Sequence, residues 1–332
     1  MLINLRRFST VLCFSAILFL HASGAAAEAG ETHVARWMHD KKASLLLMFD
    51  DSMPSHVKNV VPELKKRGLV GTFYVNPGKG EWGAFKNAWE KEIPAAGMEY
   101  GNHTHTHQGI LSMDGGEQEI GKCNEAIQKV FPERKSPRLI SFGVPGVKKG
   151  AWLITKEQLK ELLDKYHLVE RPHVGDRFAL INLKTSADML KVVDKAIEDG
   201  SMDSVAFHGV GGEWLSVPLT TFIELLDGLE TRREKLWITD HISAYKYETE
   251  RASAEVKVLD AGAKQIRLSL TCKADAQLFD QPLTLITQVP AAWQKVQVVQ
   301  GALKTMAAAN GGTLQFEALP STEPIVIQPA AN

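Results

Sequence analysis

Residues 43–51 read ASLLLMFDD: seven residues of strand length, all apolar but Ser44, stop on the adjacent carboxylates Asp50 and Asp51. A run of that kind suits a strand buried on both faces, as in a parallel sheet covered by helices. A helix should follow. Ser55 stands as its N-cap, Val57, Val60, Val61 and Leu64 recur at helical spacing, and Lys65, Lys66 and Arg67 precede Gly68. Outward from there the alternation continues. Strands are expected at 69–75, 98–101, 138–142, 204–207 and 236–239, with helices at 84–93, 117–130, 156–166, 187–197 and 219–232. Strands alternating with helices imply an α/β fold, a parallel sheet or barrel whose chemistry gathers at the carboxyl ends of the strands.

Beyond about Arg251 the texture changes. The runs AEVKVLD (254–260), QIRLSLTC (265–272), PLTLITQV (282–289) and KVQVVQG (295–301) alternate apolar and polar residues between turn formers. Period-two patterning predicts a small antiparallel sandwich-like β domain at 251–332, after a main domain at 28–250. Its role is open between packing against the main domain and binding glycan.

The first residues carry Arg6 and Arg7, then an apolar run from Val11 to Leu20, then Ala25, Ala26 and Ala27. That order predicts a signal peptide at 1–27 and export to the periplasm or medium. The apolar run is about half the roughly 20 residues a membrane span needs, so no transmembrane segment is expected once the leader is removed. Cys13 lacks the small residue expected just before a lipid-anchored cysteine. The chain has 332 residues, 44% hydrophobic and 23% charged, with a formal net charge of -1, which argues against a nucleic-acid partner. Cys123 and Cys272 fall in different expected domains, so no disulfide framework is supported.

Three segments place titratable side chains directly after apolar runs. Asp50 and Asp51 repel each other unless a cation or proton lies between them; a loop aspartate capping the next helix would account for one of the two. HTHTH at His103 to His107 is the densest histidine cluster. Imidazole is the commonest metal ligand, and a helical turn would bring residues four apart, His103 and His107, to one face. Two histidines and a carboxylate form the three-ligand set of an open catalytic site; adventitious metal binding is the plainer alternative. The third segment, SVAFHGVGG, ends a strand on His208 before a glycine-rich turn. A lone histidine there is as compatible with a structural role as with a catalytic one.

These segments, with a fourth at SFGVPG (141–146), resemble the polysaccharide deacetylase family, the group sharing the NodB-homology domain, over roughly 43–243. Phe49, Asp50 and Asp51 match its first motif, and His103 to His107 match the His-Ser/Thr-x-x-His of its second. The resemblance implies an irregular (β/α) barrel. It also implies Asp51, His103 and His107 as ligands of one divalent metal, zinc first and cobalt, nickel or manganese as alternatives. Asp50 would be the base and His208 the acid, while His105 would be an intervening residue. The implied reaction is hydrolysis of N- or O-acetyl groups from a polysaccharide. The backbone near Pro145 and Gly146 would face the oxyanion, Thr104 would support its loop through the hydroxyl, and Trp214 would either stack on a sugar or pack under its own loop.

Two positions depart from the family pattern. Its third motif reads Arg-x-Pro-Tyr, with the arginine orienting the base, whereas this chain has Gly143, Val144, Pro145 and Gly146. Arg171 and Lys148 are the cations that could reach Asp50 instead. Ala206 stands where a leucine is common, which would widen the acetyl pocket. The absent arginine keeps a second expectation in view, a catalytically silent glycan-binding protein; a small-molecule, metal-dependent amide hydrolase is a third.

Overall fold

The computed structural model describes residues 28–172 and 183–330. The leader expected at 1–27 lies outside them. The described chain opens with a short strand, β1 (Thr32–Val34), and then builds seven parallel strands. These are β2 (Ala43–Asp50), β3 (Thr72–Val75), β4 (Glu99–Asn102), β5 (Ile140–Phe142), β6 (Leu168–Glu170), β7 (Met202–Phe207) and β8 (Leu236–Thr239). The order is β6-β5-β4-β3-β2-β7, with β8 on β2. Among the described residues β6 and β7 do not pair, so the sheet is the irregular, open (β/α) barrel implied by the resemblance.

Every residue of β2 is buried, as its unbroken apolar run requires. It pairs with three strands: β8 along Ala43–Leu46, β3 along Met48–Asp50 and β7 along Ser44–Phe49. Leu45, Leu47 and Phe49 face a core shared with the helices, including Phe73, Phe207 and Phe222. Leu46 and Met48 face the other way, into a second core. By strand alternation Asp50 continues that second face.

The second core is where the β-rich part of the chain meets the barrel. Strands β9 (Glu255–Ala261), β10 (Ile266–Thr271), β11 (Leu283–Gln288), β12 (Lys295–Gln300), β13 (Leu303–Asn310), β14 (Thr313–Ala318) and β15 (Ile325–Pro329) pair antiparallel in the order β1-β11-β14-β13-β12-β15-β10-β9. The link between β13 and β14 is only two residue pairs, Ala309 with Leu314 and Asn310 with Thr313, so the layer folds there into two leaves. Their inward residues, Ile266, Leu268, Leu285 and Phe316 among them, join Leu46, Met48, Tyr74 and Trp237 of the barrel in one apolar cluster. β1 belongs to this layer although it precedes the barrel in sequence, and Trp37 just after it is fully buried in the shared core.

Two elements of the barrel escaped the sequence pattern. β6 is three residues long, too short for a period to show. The helix His241–Ala252 buries His241 and Glu250 beside Ile242, Ala244 and Tyr247, so its inward face is half polar and masks the apolar repeat. Ser55 also differs from its expected role. It is itself helical (φ -66, ψ -23) and makes no side-chain cap; its Oγ instead accepts from the Val210 N–H at 3.0 Å.

Candidate active site

β2 delivers Asp50 and Asp51, and the chain then turns sharply, with Asp51 (φ 78) and Ser52 (φ 53) both in the left-handed region. Such positions cost of order 1–3 kcal/mol for non-glycine residues and persist where surroundings over-determine them. Here Asp51 N–H donates to Tyr74 O (3.1 Å), and Ser52 Oγ accepts from Asn76 N–H (2.9 Å).

The histidine loop follows β4. It is not the helical turn expected from the spacing of four: Thr104 (φ 67) and His107 (φ 63) adopt left-handed backbone instead. Buried amides set this path. Asn76 Nδ2 donates to the carbonyls of His103 (2.6 Å) and Thr104 (2.9 Å), and Asn102 Oδ1 accepts from Thr104 N–H (3.0 Å). Glu119 binds Thr106 through its N–H and its hydroxyl, and the Thr104 hydroxyl accepts from His107 N–H at 3.2 Å. The loop still brings the His103 and His107 rings to 5.1 Å between centroids.

Both rings turn Nε2 toward Asp51 Oδ1, His107 at 3.0 Å and His103 at 3.5 Å. The ligating atoms of Asp51, His103 and His107 lie within 4.8 Å of one another, the one such cluster among the described residues. Asp51 Oδ1 is buried and lacks a hydrogen-bond partner. His103 Nδ1 lies 2.7 Å from Gly143 O and so carries the proton, which leaves Nε2 as a free lone pair. Burial pulls the His103 pKa down to about 4 against the pull of Asp50, so the imidazole is neutral at physiological pH. An orphaned carboxylate oxygen facing two imidazole nitrogens fits a divalent metal. His105 stands apart, lining a separate cavity with Trp82 and Lys122.

Asp50 is gripped from elsewhere. Arg171, one residue beyond β6, places Nη1 2.6 Å from Oδ1 and Nη2 2.9 Å from Oδ2, a bidentate fork. Its guanidinium carbon lies 4.3 Å over the Tyr74 ring. Tyr74 is held in turn through Ser141 Oγ (2.8 Å), which contacts His241 Nδ1 (2.7 Å). Burial acts to raise the Asp50 pKa, but Arg171, with His103 and His208, keeps it below the usual carboxylate range. Lys148 lies exposed on its loop.

His208, just past β7, brings Nε2 to 3.9 Å from Asp51 Oδ2. Trp214 meets its ring edge-on at 5.0 Å between centroids, with 62% of Trp214 exposed, so it stands at the mouth rather than under its loop. The loop is strapped to the segment after β2. His56 Nε2 lies 2.7 Å from His208 O, Asn59 donates to Val210 O (2.7 Å), and Glu213 accepts from Ser55 N–H (3.2 Å). Pro145 is buried and Gly146 is exposed, with nothing within 4 Å of where a Cβ would sit.

Arg171, Asn76, Asn102, Glu119 and His56 complete the arrangement. Asn76 and Asn102 had a sequence signal, a polar amide at or just past a strand end. His56 and Glu119 had none, because their partners are brought to them only by the fold.

The family model described as Polysaccharide deacetylase matches residues 38–158, which bears out the resemblance over that stretch. A gellan lyase from a Bacillus species is 32% identical over 76 residues, 23% of this chain and 3% of that protein. Among solved structures, a family 4 carbohydrate esterase from Streptomyces lividans is 21% identical over 59% of this chain and 91% of its own, with a TM-score of 0.44. A family 4 pseudoenzyme from Bacillus anthracis is 20% identical over 62% and 65%, with a TM-score of 0.43.

Proposed function

We propose, on the premise that residues 38–158 match the polysaccharide deacetylase family, that this chain hydrolyses N- or O-acetyl groups on a polysaccharide outside the cytoplasm. The observation that carries the reading is the orphaned, buried Asp51 Oδ1 facing His103 and His107, with Asp50 and His208 beside it. Asp51, His103 and His107 would hold one divalent cation. Bound there, such an ion polarises an acyl carbonyl and acidifies water.

The remaining work falls to the chain's own side chains. Asp50 accepts a proton from the attacking water as its oxygen bonds to the acetyl carbon. The C–N or C–O bond then breaks, acetate leaves with the new oxygen, and His208 gives a proton to the departing amine or alcohol. The Arg171 fork leaves Asp50 oriented with its charge balanced, and His56, on the backbone carbonyl of residue 208, fixes where the acid stands. Backbone N–H groups near Gly146 are suited to the developing oxyanion, and the exposed Trp214 ring to a sugar face.

Zinc is the favoured ion, with cobalt, nickel or manganese compatible with the same donors. Export rests on the leader pattern at 1–27; no helix among the described residues is long and apolar enough to cross a membrane. The main domain at 28–250 and the β domain at 251–332 act as one unit in this reading. The silent glycan binder was motivated by the missing arginine; the Arg171 fork on Asp50 supports the catalytic reading instead. Acetate release that follows added metal and stops with chelator tests the proposal; bound metal without release from any acetylated glycan would overturn it.

A further inference from the structure

Gly143 and Arg171 sit side by side at the ends of neighbouring strands. β5 pairs with β6 up to Phe142 and Glu170, and the Arg171 N–H donates to Phe142 O at 2.8 Å, so residues 143 and 171 continue the same register. A Cβ added at Gly143 would lie 3.0 Å from Arg171 Cζ, 3.0 Å from Arg171 Nε and 3.0 Å from Tyr74 Cδ1. The space a side chain at 143 would fill already holds the guanidinium and the ring beneath it.

We propose that Arg171 is the positioning residue that holds Asp50 in the orientation needed to take a proton from water, and that residue 143 is glycine because Arg171 occupies its side-chain space. The guanidinium can reach Asp50 from either strand end, but not from both at once. This rests on the deacetylase reading for its catalytic half; the steric half stands on geometry alone. Arg171 touches Asp50 through both nitrogens of its fork. Tyr74, Ser141 and His241 buttress it from below, so it arrives pre-set rather than adapting on binding.

The experiment combines a stability cycle with steady-state kinetics on the full chain loaded with zinc. Gly143→Ala should lower Tm when Arg171 is present and lower it by less than half as much in the Arg171→Ala background; additive effects would overturn the steric half. Arg171→Ala should lower kcat about 100-fold, within the range of misplaced general-base catalysis, with KM within about twofold and zinc content unchanged. Arg171→Lys should restore little, since an ammonium cannot fork onto both oxygens. Moving the arginine, Gly143→Arg with Arg171→Ala, should raise kcat about tenfold over Arg171→Ala alone. Should that double variant fold poorly, added guanidinium ion should rescue Arg171→Ala instead. Wild-type kcat in Arg171→Ala, or no rescue by either route in a folded, zinc-loaded protein, would overturn the positioning role. A wild-type protein that releases no acetate from any glycan would sink the deacetylase reading and leave the stability cycle to judge the geometry.

Discussion

Asp50 meets a guanidinium and Asp51 two imidazoles, so adjacent carboxylates of one strand end acquire different surroundings, and different tasks are proposed for them. Asp50→Asn should keep the metal and lower turnover by about 10²–10⁴-fold, the usual worth of a positioned base. Asp51→Ala, His103→Ala or His107→Ala should lose metal and turnover together, read by metal analysis alongside acetate release. His208→Ala should behave as Asp50→Asn does; if it loses metal, the ligand set is wrong. The sequence exposed Asp50, Asp51 and His208 because each follows an apolar run, where a titratable side chain has no packing reason to be, and His103 and His107 because histidine is densest there. Their geometry was less legible. The spacing of His103 and His107 suggested a helical turn, while Asn76, Asn102 and Glu119 bend the loop into left-handed backbone that reaches a similar convergence. Arg171 could be named as a candidate but not placed, because 121 residues separate it from Asp50.

The elements show how the site is braced. Ser55 Oγ accepts the buried N–H of Val210, and Ser55→Ala leaves that donor unpaired, at a cost of about 1–3 kcal/mol. Its Tm should fall by several degrees and its kcat should fall too, because the loop carrying His208 loses an anchor; a variant equal to wild type in both would show the strap to be idle. Gly101 in β4 is a second brace. A Cβ there would come 2.6 Å from Tyr74 Cδ1, against a ring held between Arg171 and Ser141. Gly101→Ala should destabilise by about 1–3 kcal/mol through overpacking, measured by denaturant unfolding. Most strands and helices of the barrel could be read from the chain because they are long enough to show a period. β6 and the helix His241–Ala252 were not, one for its brevity and the other for its polar inward face.

At the scale of the molecule, the barrel and the β-rich layer share one apolar core, so the fold is expected to depend on both. The seam also holds a buried acid. Glu250 is 1% exposed, and burial pushes its pKa up to about 7, although Gln281 N–H donates to its Oε2. The ordinary carboxyl pKa here is 4.5, so between that value and about 7 the folded chain binds a proton that the unfolded chain has released. Stability therefore falls as pH rises through that window. Glu250→Gln keeps the acceptor for Gln281 and removes the ionisation. Its Tm should match wild type near pH 4.5 and exceed it at pH 8; equal values at both would contradict a raised Glu250 pKa. The four period-two runs beyond Arg251 foretold β9 to β12 of the antiparallel layer; β13, β14 and β15 were not singled out, and Thr32–Val34 reaches the layer from before the barrel.

Acetate release from purified protein spanning 28–332 tests whether the chain is a deacetylase. The substrates are chitooligosaccharides, peptidoglycan and acetylxylan, each with chelator, with added zinc and with added cobalt. Release from at least one of them, abolished by chelator and restored by metal, is the expected result. Protein that binds one equivalent of metal and releases no acetate from any of them would contradict the deacetylase reading.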